Sequence, residues 1–139
     1  MSDKDLKVLI LDDSYGHVEE FKKRLKTVGI TDITHIATAM GCIEKLMKGD
    51  YDLIFLDYDL GESPSWAKDI DNCGGSVSEW IQLNPDVVHV DTKIIIHSVD
   101  YLGATYMKER IPDAIIHPRA WEEEEFESLI KTLKLKKSK

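Results

Sequence analysis

Short apolar segments alternate along the chain with longer segments in which apolar residues recur every three or four positions. The short segments are apolar at nearly every residue, which is typical of strands buried on both faces of a parallel sheet. They predict five strands, at Val8–Leu11, Ile33–Ala37, Leu53–Leu56, Lys93–Ile96 and Ala114–Ile116.

The longer segments have the spacing of amphipathic helices. In the first of them, Val18, Phe21, Leu25 and Val28 lie on one face, and Gly29 follows where the helix is expected to end. Further helices are predicted over Met40–Met47, Gly74–Leu83, Leu102–Ile111 and Phe126–Leu133. Strands that alternate with helices predict parallel pairing through right-handed crossovers, with helices on both faces of the sheet. We therefore expect an α/β fold with a three-layer αβα sandwich.

The longest irregular stretch is predicted at Tyr58–Asn72, which contains Gly61, Pro64 and Trp66. A loop of this length in a small domain is usually functional or mobile. One interpretation is a loop that closes over a nucleotide base, with Trp66 stacking on it. The other is an insertion that packs Trp66 on the core or at a dimer contact.

Length and charge narrow the functional class. The 139 residues suit a single domain spanning 1–139. With 18 Lys+Arg and 26 Asp+Glu, the net charge of −8 argues against a nucleic-acid or membrane-surface partner. No apolar run approaches the roughly 20 residues of a membrane span, and the N-terminus does not resemble a signal peptide. Two cysteines, Cys42 and Cys73, are too few for a disulfide framework, so we expect a cytoplasmic protein.

Polar residues follow the predicted strands. Asp12 and Asp13 follow the first strand, Asp57 follows the third, and Asp59 lies two residues later. The carboxyl ends of parallel strands share one edge, so these carboxylates are expected to converge. Several carboxylates in one pocket need a counter-charge, and Mg²⁺ or Mn²⁺ would supply it through oxygen ligands. The alternative is that these residues only cap a helix or a turn.

These residues resemble a response-regulator receiver domain. The resemblance rests on Leu11-Asp12-Asp13, the strand ending at Asp57, Ser98 after the fourth strand and Pro118 after the fifth, and it runs from about Lys7 to about Leu133. It implies a flavodoxin-like, five-stranded sheet of order 2-1-3-4-5. It also implies that Asp12 and Asp13 hold the metal, that Asp57 accepts a phosphoryl group, that Asp59 gives a backbone carbonyl to the metal and that Ser98 bonds a phosphoryl oxygen.

One position departs from the receiver pattern. Where that pattern has a lysine, this chain has His117, which carries only a partial charge near neutral pH. Arg119, two residues later, is a second candidate cation. We expect both to contact a bound phosphoryl group.

A narrower resemblance is to the receiver-like group named for cyclic-phosphate processing. It rests on Leu56-Asp57-Tyr58-Asp59-Leu60-Gly61, Gly74-Gly75, the segment His97-Ser98-Val99-Asp100 with Gly103-Ala104, and Met107. The chain departs from that pattern at Tyr58, where the group has His, and at Asp100, where it has Asn. This resemblance implies binding or hydrolysis of a nucleotide-type phosphate.

Two hypotheses follow from these patterns. The first is a Mg²⁺-dependent phosphate site with Asp57, Ser98, His117 and His97 as candidate catalytic residues, Ser98, His117 and Arg119 as candidate phosphate ligands, and Asp12, Asp13, Asp57 and Asp59 as candidate metal ligands. For His97, a hydrogen-bonded core position is an equal alternative. The histidines also permit a transition metal, although no ligand spacing in the sequence supports one. The second hypothesis is a phospho-accepting or degenerate receiver that signals to a protein partner through the face of the fourth strand, the fourth helix and the fifth strand.

Overall fold

The computed structural model describes residues 6–60, 73–88, 91–98, 100–117 and 127–132. Strands and helices alternate in the order β1 (Lys7–Leu11), α1 (Tyr15–Thr27), β2 (Asp32–Ile36), α2 (Ala39–Lys48), β3 (Leu53–Leu56), α3 (Gly74–Leu83), β4 (Lys93–Ile96), α4 (Tyr101–Arg110) and β5 (Ile115–Ile116). A 3₁₀ turn, Pro85–Val87, follows α3, and residues 127–132 are helical. Several predicted features lie outside the described residues. They are the loop residues 61–72 with Trp66, the segment Pro118-Arg119, and the two ends of the last predicted helix, Phe126 and Leu133.

The five strands form one parallel sheet in the order β2-β1-β3-β4-β5, which confirms the predicted fold class and strand order. Neighbouring strands start and end nearly level, with Leu11 opposite Leu56 and Leu56 opposite Ile96. The residues that follow these three strands are therefore brought to the same edge of the sheet.

Alternation along the strands divides the apolar residues into two layers. Leu9, Leu11 and Leu56 pack with buried residues of α2, α3 and α4 on one face. Val8, Ile10 and Phe55 pack with residues of α1 and with Ile130 on the other face. Side chains two residues beyond Ile10 and Phe55 fall on the α1 face as well, because successive strand residues alternate between faces.

Polar side chains cap the N-termini of the two helices near the site, α1 and α4. Ser14 caps α1, and its hydroxyl accepts the backbone N–H of His17 at 3.4 Å. Asp100 caps α4, and its carboxylate accepts the N–H of Gly103 at 2.9 Å. Gly29 has a φ of 87°, a conformation that favours glycine, and it follows the end of α1 as the sequence predicted. No helix within the described ranges has the length and hydropathy that a membrane span needs.

Candidate functional site

Three buried polar side chains meet at the carboxyl edge of the sheet. Asp12, Asp57 and His97 directly follow β1, β3 and β4, and each is 0% exposed. Each offers one oxygen or ring nitrogen, and these three atoms lie within 4.8 Å of one another. The structure thus brings together two of the predicted carboxylates and one of the predicted histidines in a group that could hold a cation.

Asp12 is held from several sides. Its Oδ1 accepts the N–H of Ser14 at 2.8 Å, and its Oδ2 lies 3.1 Å from Nε2 of His97. Nδ1 of His17, in the first turn of α1, lies 3.8 Å from the same Oδ2. Its backbone oxygen lies 2.7 Å from Nε2 of His35 on β2. The N–H of Ser14 and the adjacent imidazoles fix the orientation of this buried carboxylate.

His97 has a hydrogen bond at one end of its ring and aromatic packing along its sides. Its centroid lies 5.1 Å from that of Phe21 and 6.0 Å from that of Phe55, both at edge-to-face angles. Its Nδ1 has no hydrogen-bond partner within the described part of the chain. Nε2 is therefore the ring nitrogen that faces the two carboxylates, and the residue is both a core position and part of the polar group.

The first turn of α3 packs directly on the backbone of Asp57. The N–H of Gly74 donates to the carbonyl oxygen of Tyr58 at 2.9 Å. A Cβ at Gly74 would lie 2.9 Å from the carbonyl carbon of Asp57 and still nearer to its oxygen. Gly74-Gly75 is one of the motifs on which the predicted resemblance rests. The structure explains why position 74 is glycine, because a larger residue would clash with the backbone at the end of β3.

The other predicted site residues lie around this group. Ser98 is buried, and its Oγ accepts the N–H of Asp100 at 3.1 Å, next to the start of α4. His117 is half-buried at the end of β5, where its N–H donates to the carbonyl of Ile96 at 2.8 Å. Asp13 and Asp59 are exposed, and Asp59 forms a β-bridge with Cys73. Arg119 lies outside the described residues.

Two histidines outside the predicted site residues lie next to Asp12. His17 and His35 both have ring nitrogens within 4 Å of Asp12 atoms. The position of His17, one helical turn after the Asp12-Asp13 pair, is a sequence signal that could have identified it. His35 lies opposite Ile10 in the β1–β2 register, which the sequence alone does not fix.

Tyr58, which follows Asp57, fills the space between α3 and α4. A Cβ at Gly103 would lie within 2.8 Å of several Tyr58 ring atoms, so the ring sits directly on the α4 backbone. The ring of Tyr106 lies edge-on at 6.4 Å between centroids, and the Arg110 guanidinium carbon is 3.4 Å from the centre of the Tyr106 ring. Burial is the main cause that raises the pKa of Tyr58 above its ordinary value.

Comparisons with known proteins identify a matching family model and similar folds. The model of the family described as "Cyclic-phosphate processing Receiver domain" matches residues 7–113. None of the curated protein sequences matches the chain.

Solved receiver structures share the fold. A CheY-like receiver domain from Methylobacillus flagellatus is 16% identical with a TM-score of 0.70, over 94% of this chain and 99% of that one. The receiver domain of a signal transduction histidine kinase from Syntrophus aciditrophicus is 20% identical with a TM-score of 0.71, over 94% and 91% of the two chains. A receiver domain of a Luxo repressor protein from Vibrio parahaemolyticus is 18% identical with a TM-score of 0.70, over 97% and 94%. At these identities the likeness concerns the fold alone.

Proposed function

Because the chain belongs to the family of cyclic-phosphate processing receiver domains, we propose that its buried acidic group holds a divalent cation, Mg²⁺ or Mn²⁺, and binds a cyclic or linear nucleotide phosphate. The observation that carries this proposal is the burial of Asp12 and Asp57 with ligand atoms within 4.8 Å of each other. Two carboxylates that lie this close together and are buried away from water repel each other unless a positive charge lies between them. The donor set therefore fits a divalent cation.

The surrounding residues have the chemistry that a phosphate ester needs. We assign the cation to Asp12 and Asp57, with Asp13 and the backbone carbonyl of Asp59 as further ligands. The bound cation would neutralise phosphoryl oxygens and so admit an anionic substrate to an acidic edge. The hydroxyl of Ser98 and the imidazole of His117, at the ends of β4 and β5, are the groups that we assign to the phosphoryl oxygens, together with Arg119.

A turnover screen tests this function. The protein, with Mg²⁺ or with Mn²⁺, is incubated with cyclic and linear nucleotides, and the products are separated by chromatography. We expect cation-dependent hydrolysis or, at the least, a ligand-dependent rise in melting temperature, and we expect Asp57→Asn to abolish either effect. Neither turnover nor a melting shift with any of these nucleotides would contradict the proposal.

A second function is favoured by apolar side chains exposed on α4 and β5. Tyr101 and Leu102 are 79% and 78% exposed, and Ile115 and Ile116 are 38% and 41% exposed. An exposed apolar set of this kind fits a protein contact. In this alternative the domain is a phospho-accepting or degenerate signalling module that uses the face of β4, α4 and β5.

Acyl-phosphate formation separates the two functions. Acetyl phosphate with Mg²⁺ would label Asp57 in a phospho-accepting module, and intact-mass spectrometry with hydroxylamine treatment would detect the acyl phosphate. We expect no stable label if the site hydrolyses nucleotide phosphates. A stable label on Asp57, absent in Asp57→Asn, would favour the signalling module.

A further inference from the structure

We propose that His97 is a direct ligand of the cation, so that the site selects a first-row divalent transition metal such as Mn²⁺ over Mg²⁺. This inference rests on the proposed cation site and defines which ion that site holds. It concerns a side chain that the family resemblance does not assign to the metal.

The distances fit a coordination sphere. Ligand atoms about 2.1 Å from an ion lie about 3.0 Å apart when adjacent and about 4.2 Å apart when opposite. Nε2 of His97 lies 3.1 Å from Oδ2 of Asp12, and the ligand atoms of Asp12, Asp57 and His97 are all within 4.8 Å. These three side chains therefore already have nearly the spacing of a bound ion's ligands.

His17 lies beside this group without joining it. Its Nδ1 lies 3.8 Å from Oδ2 of Asp12, the oxygen that His97 also faces, but its side chain is 40% exposed. Among the described residues, the side chains whose ligand atoms all lie within 4.8 Å of one another are Asp12, Asp57 and His97. His97 is therefore the imidazole that the geometry assigns to the ion.

Burial favours a ligand over an acid–base role for His97. The ring is 0% exposed and is flanked by Phe21 and Phe55. A ring so enclosed reaches an ion lying between the two carboxylates more readily than a phosphate ester outside them. Mg²⁺ prefers oxygen ligands and retains several waters, whereas imidazole suits transition metals. An imidazole at this position therefore biases the site against Mg²⁺.

His35 provides a matched control. It too is a histidine beside Asp12, but its Nε2 lies 2.7 Å from the backbone oxygen and not from the carboxylate. His35→Gln removes an imidazole next to Asp12 and leaves the proposed ligands in place. His97→Gln keeps a side-chain amide that can donate to Asp12 while removing the imidazole.

Calorimetric titration with Mn²⁺ and Mg²⁺ measures the selectivity. For the unmodified protein we expect Mn²⁺ to bind at least about tenfold more tightly than Mg²⁺. We expect His97→Gln to weaken Mn²⁺ binding by at least about tenfold and to remove most of the preference, and His17→Gln and His35→Gln each to stay within about twofold. Equal affinities for the two ions, or equal effects of the His97 and His35 substitutions, would overturn the inference.

Pulsed electron paramagnetic resonance of bound Mn²⁺ tests the contact directly. We expect a histidine nitrogen coupling that changes when histidine alone is labelled with ¹⁵N, so the unmodified protein decides the matter even if His97→Gln fails to fold. Bound Mn²⁺ without such a coupling would refute histidine ligation and leave the proposed phosphate site standing. Failure of both ions to bind would contradict the cation site itself, and with it this inference.

Discussion

At the scale of single residues, Asp12 and Asp57 place two buried carboxylates side by side at the sheet edge. Asp12 faces two imidazoles and a backbone N–H, and Asp57 is buried beside it at the end of the neighbouring strand. Two negative charges this close repel each other. Removing the Asp57 charge should therefore relieve charge repulsion in the cation-free protein and weaken binding of the proposed cation.

Asp57→Asn tests this balance. In a chelator we expect the free energy of unfolding to stay unchanged or to rise by on the order of 1 kcal/mol, because the like-charge contact is lost while the Asp12–His97 contact remains. With Mn²⁺ present, the unmodified protein should gain stability and the variant should not. Urea denaturation with and without Mn²⁺ measures both effects. A loss of several kcal/mol in chelator would show that the Asp57 charge supports the fold.

The two cysteines should differ sharply in reactivity. Cys42 is fully buried on α2, and burial raises the pKa of its thiol to about 12, while Cys73 is half-buried at the start of α3. A disulfide reagent at pH 8 should modify one thiol per native chain and two in denaturant, because the buried Cys42 is inaccessible and forms almost no reactive thiolate in the folded chain. Cys73→Ser should abolish the native reaction, whereas rapid modification of that variant would mean that Cys42 is accessible.

The raised pKa of Cys42 also predicts how the free energy of unfolding changes with pH. In the unfolded chain this thiol ionises near its ordinary pKa of 9.0, whereas in the folded chain its pKa is about 12. The contribution of Cys42 is therefore present below pH 9 and is lost as the pH rises toward 12. Cys42→Ala should flatten this part of the pH profile of the free energy of unfolding.

At the scale of elements, the strands and helices could be predicted from the apolar pattern, but the contacts between them could not. The segments Val8–Leu11 and Leu53–Leu56 were predicted within one residue of β1 and β3, because continuous apolar runs bounded by charged residues have few alternative structures. The approach of His35 to Asp12 depends on the β1–β2 register, and that of His17 on the orientation of α1. Strand register and helix orientation are tertiary features, and the apolar pattern of a single sequence does not specify them.

Gly74→Ala probes the contact between α3 and β3. The added methyl group would lie 2.9 Å from the Asp57 carbonyl carbon and 2.9 Å from the Met107 side chain, which is closer than real Cβ contacts. We expect a loss of about 1–3 kcal/mol in the free energy of unfolding, as for other overpacked positions. Gly49→Ala is the control, since nothing lies within 4 Å of a Cβ at Gly49. Equal effects of the two substitutions in urea denaturation would mean that α3 is free to shift.

At the scale of the whole molecule, the net charge predicts an order of binding for the proposed cation and phosphate. The chain carries a net charge of −8, and the candidate site adds two buried carboxylates at the sheet edge. A phosphate dianion is repelled by both the overall field and the local group. A divalent cation in the proposed site would neutralise the two carboxylates, so we expect the cation to bind before the phosphate.

Melting experiments with inorganic phosphate and Mn²⁺ test that order. Mn²⁺ at a hundredfold excess over its Kd should stabilise the domain by about 2.7 kcal/mol, since it binds the folded chain alone. Phosphate should raise the melting temperature further in the presence of Mn²⁺ and leave it unchanged in a chelator, with sodium chloride at matched ionic strength as the control for screening. Stabilisation by phosphate in the chelator would place the anion away from the two carboxylates, on the basic side chains of another surface, and would separate phosphate binding from the group at Asp12 and Asp57.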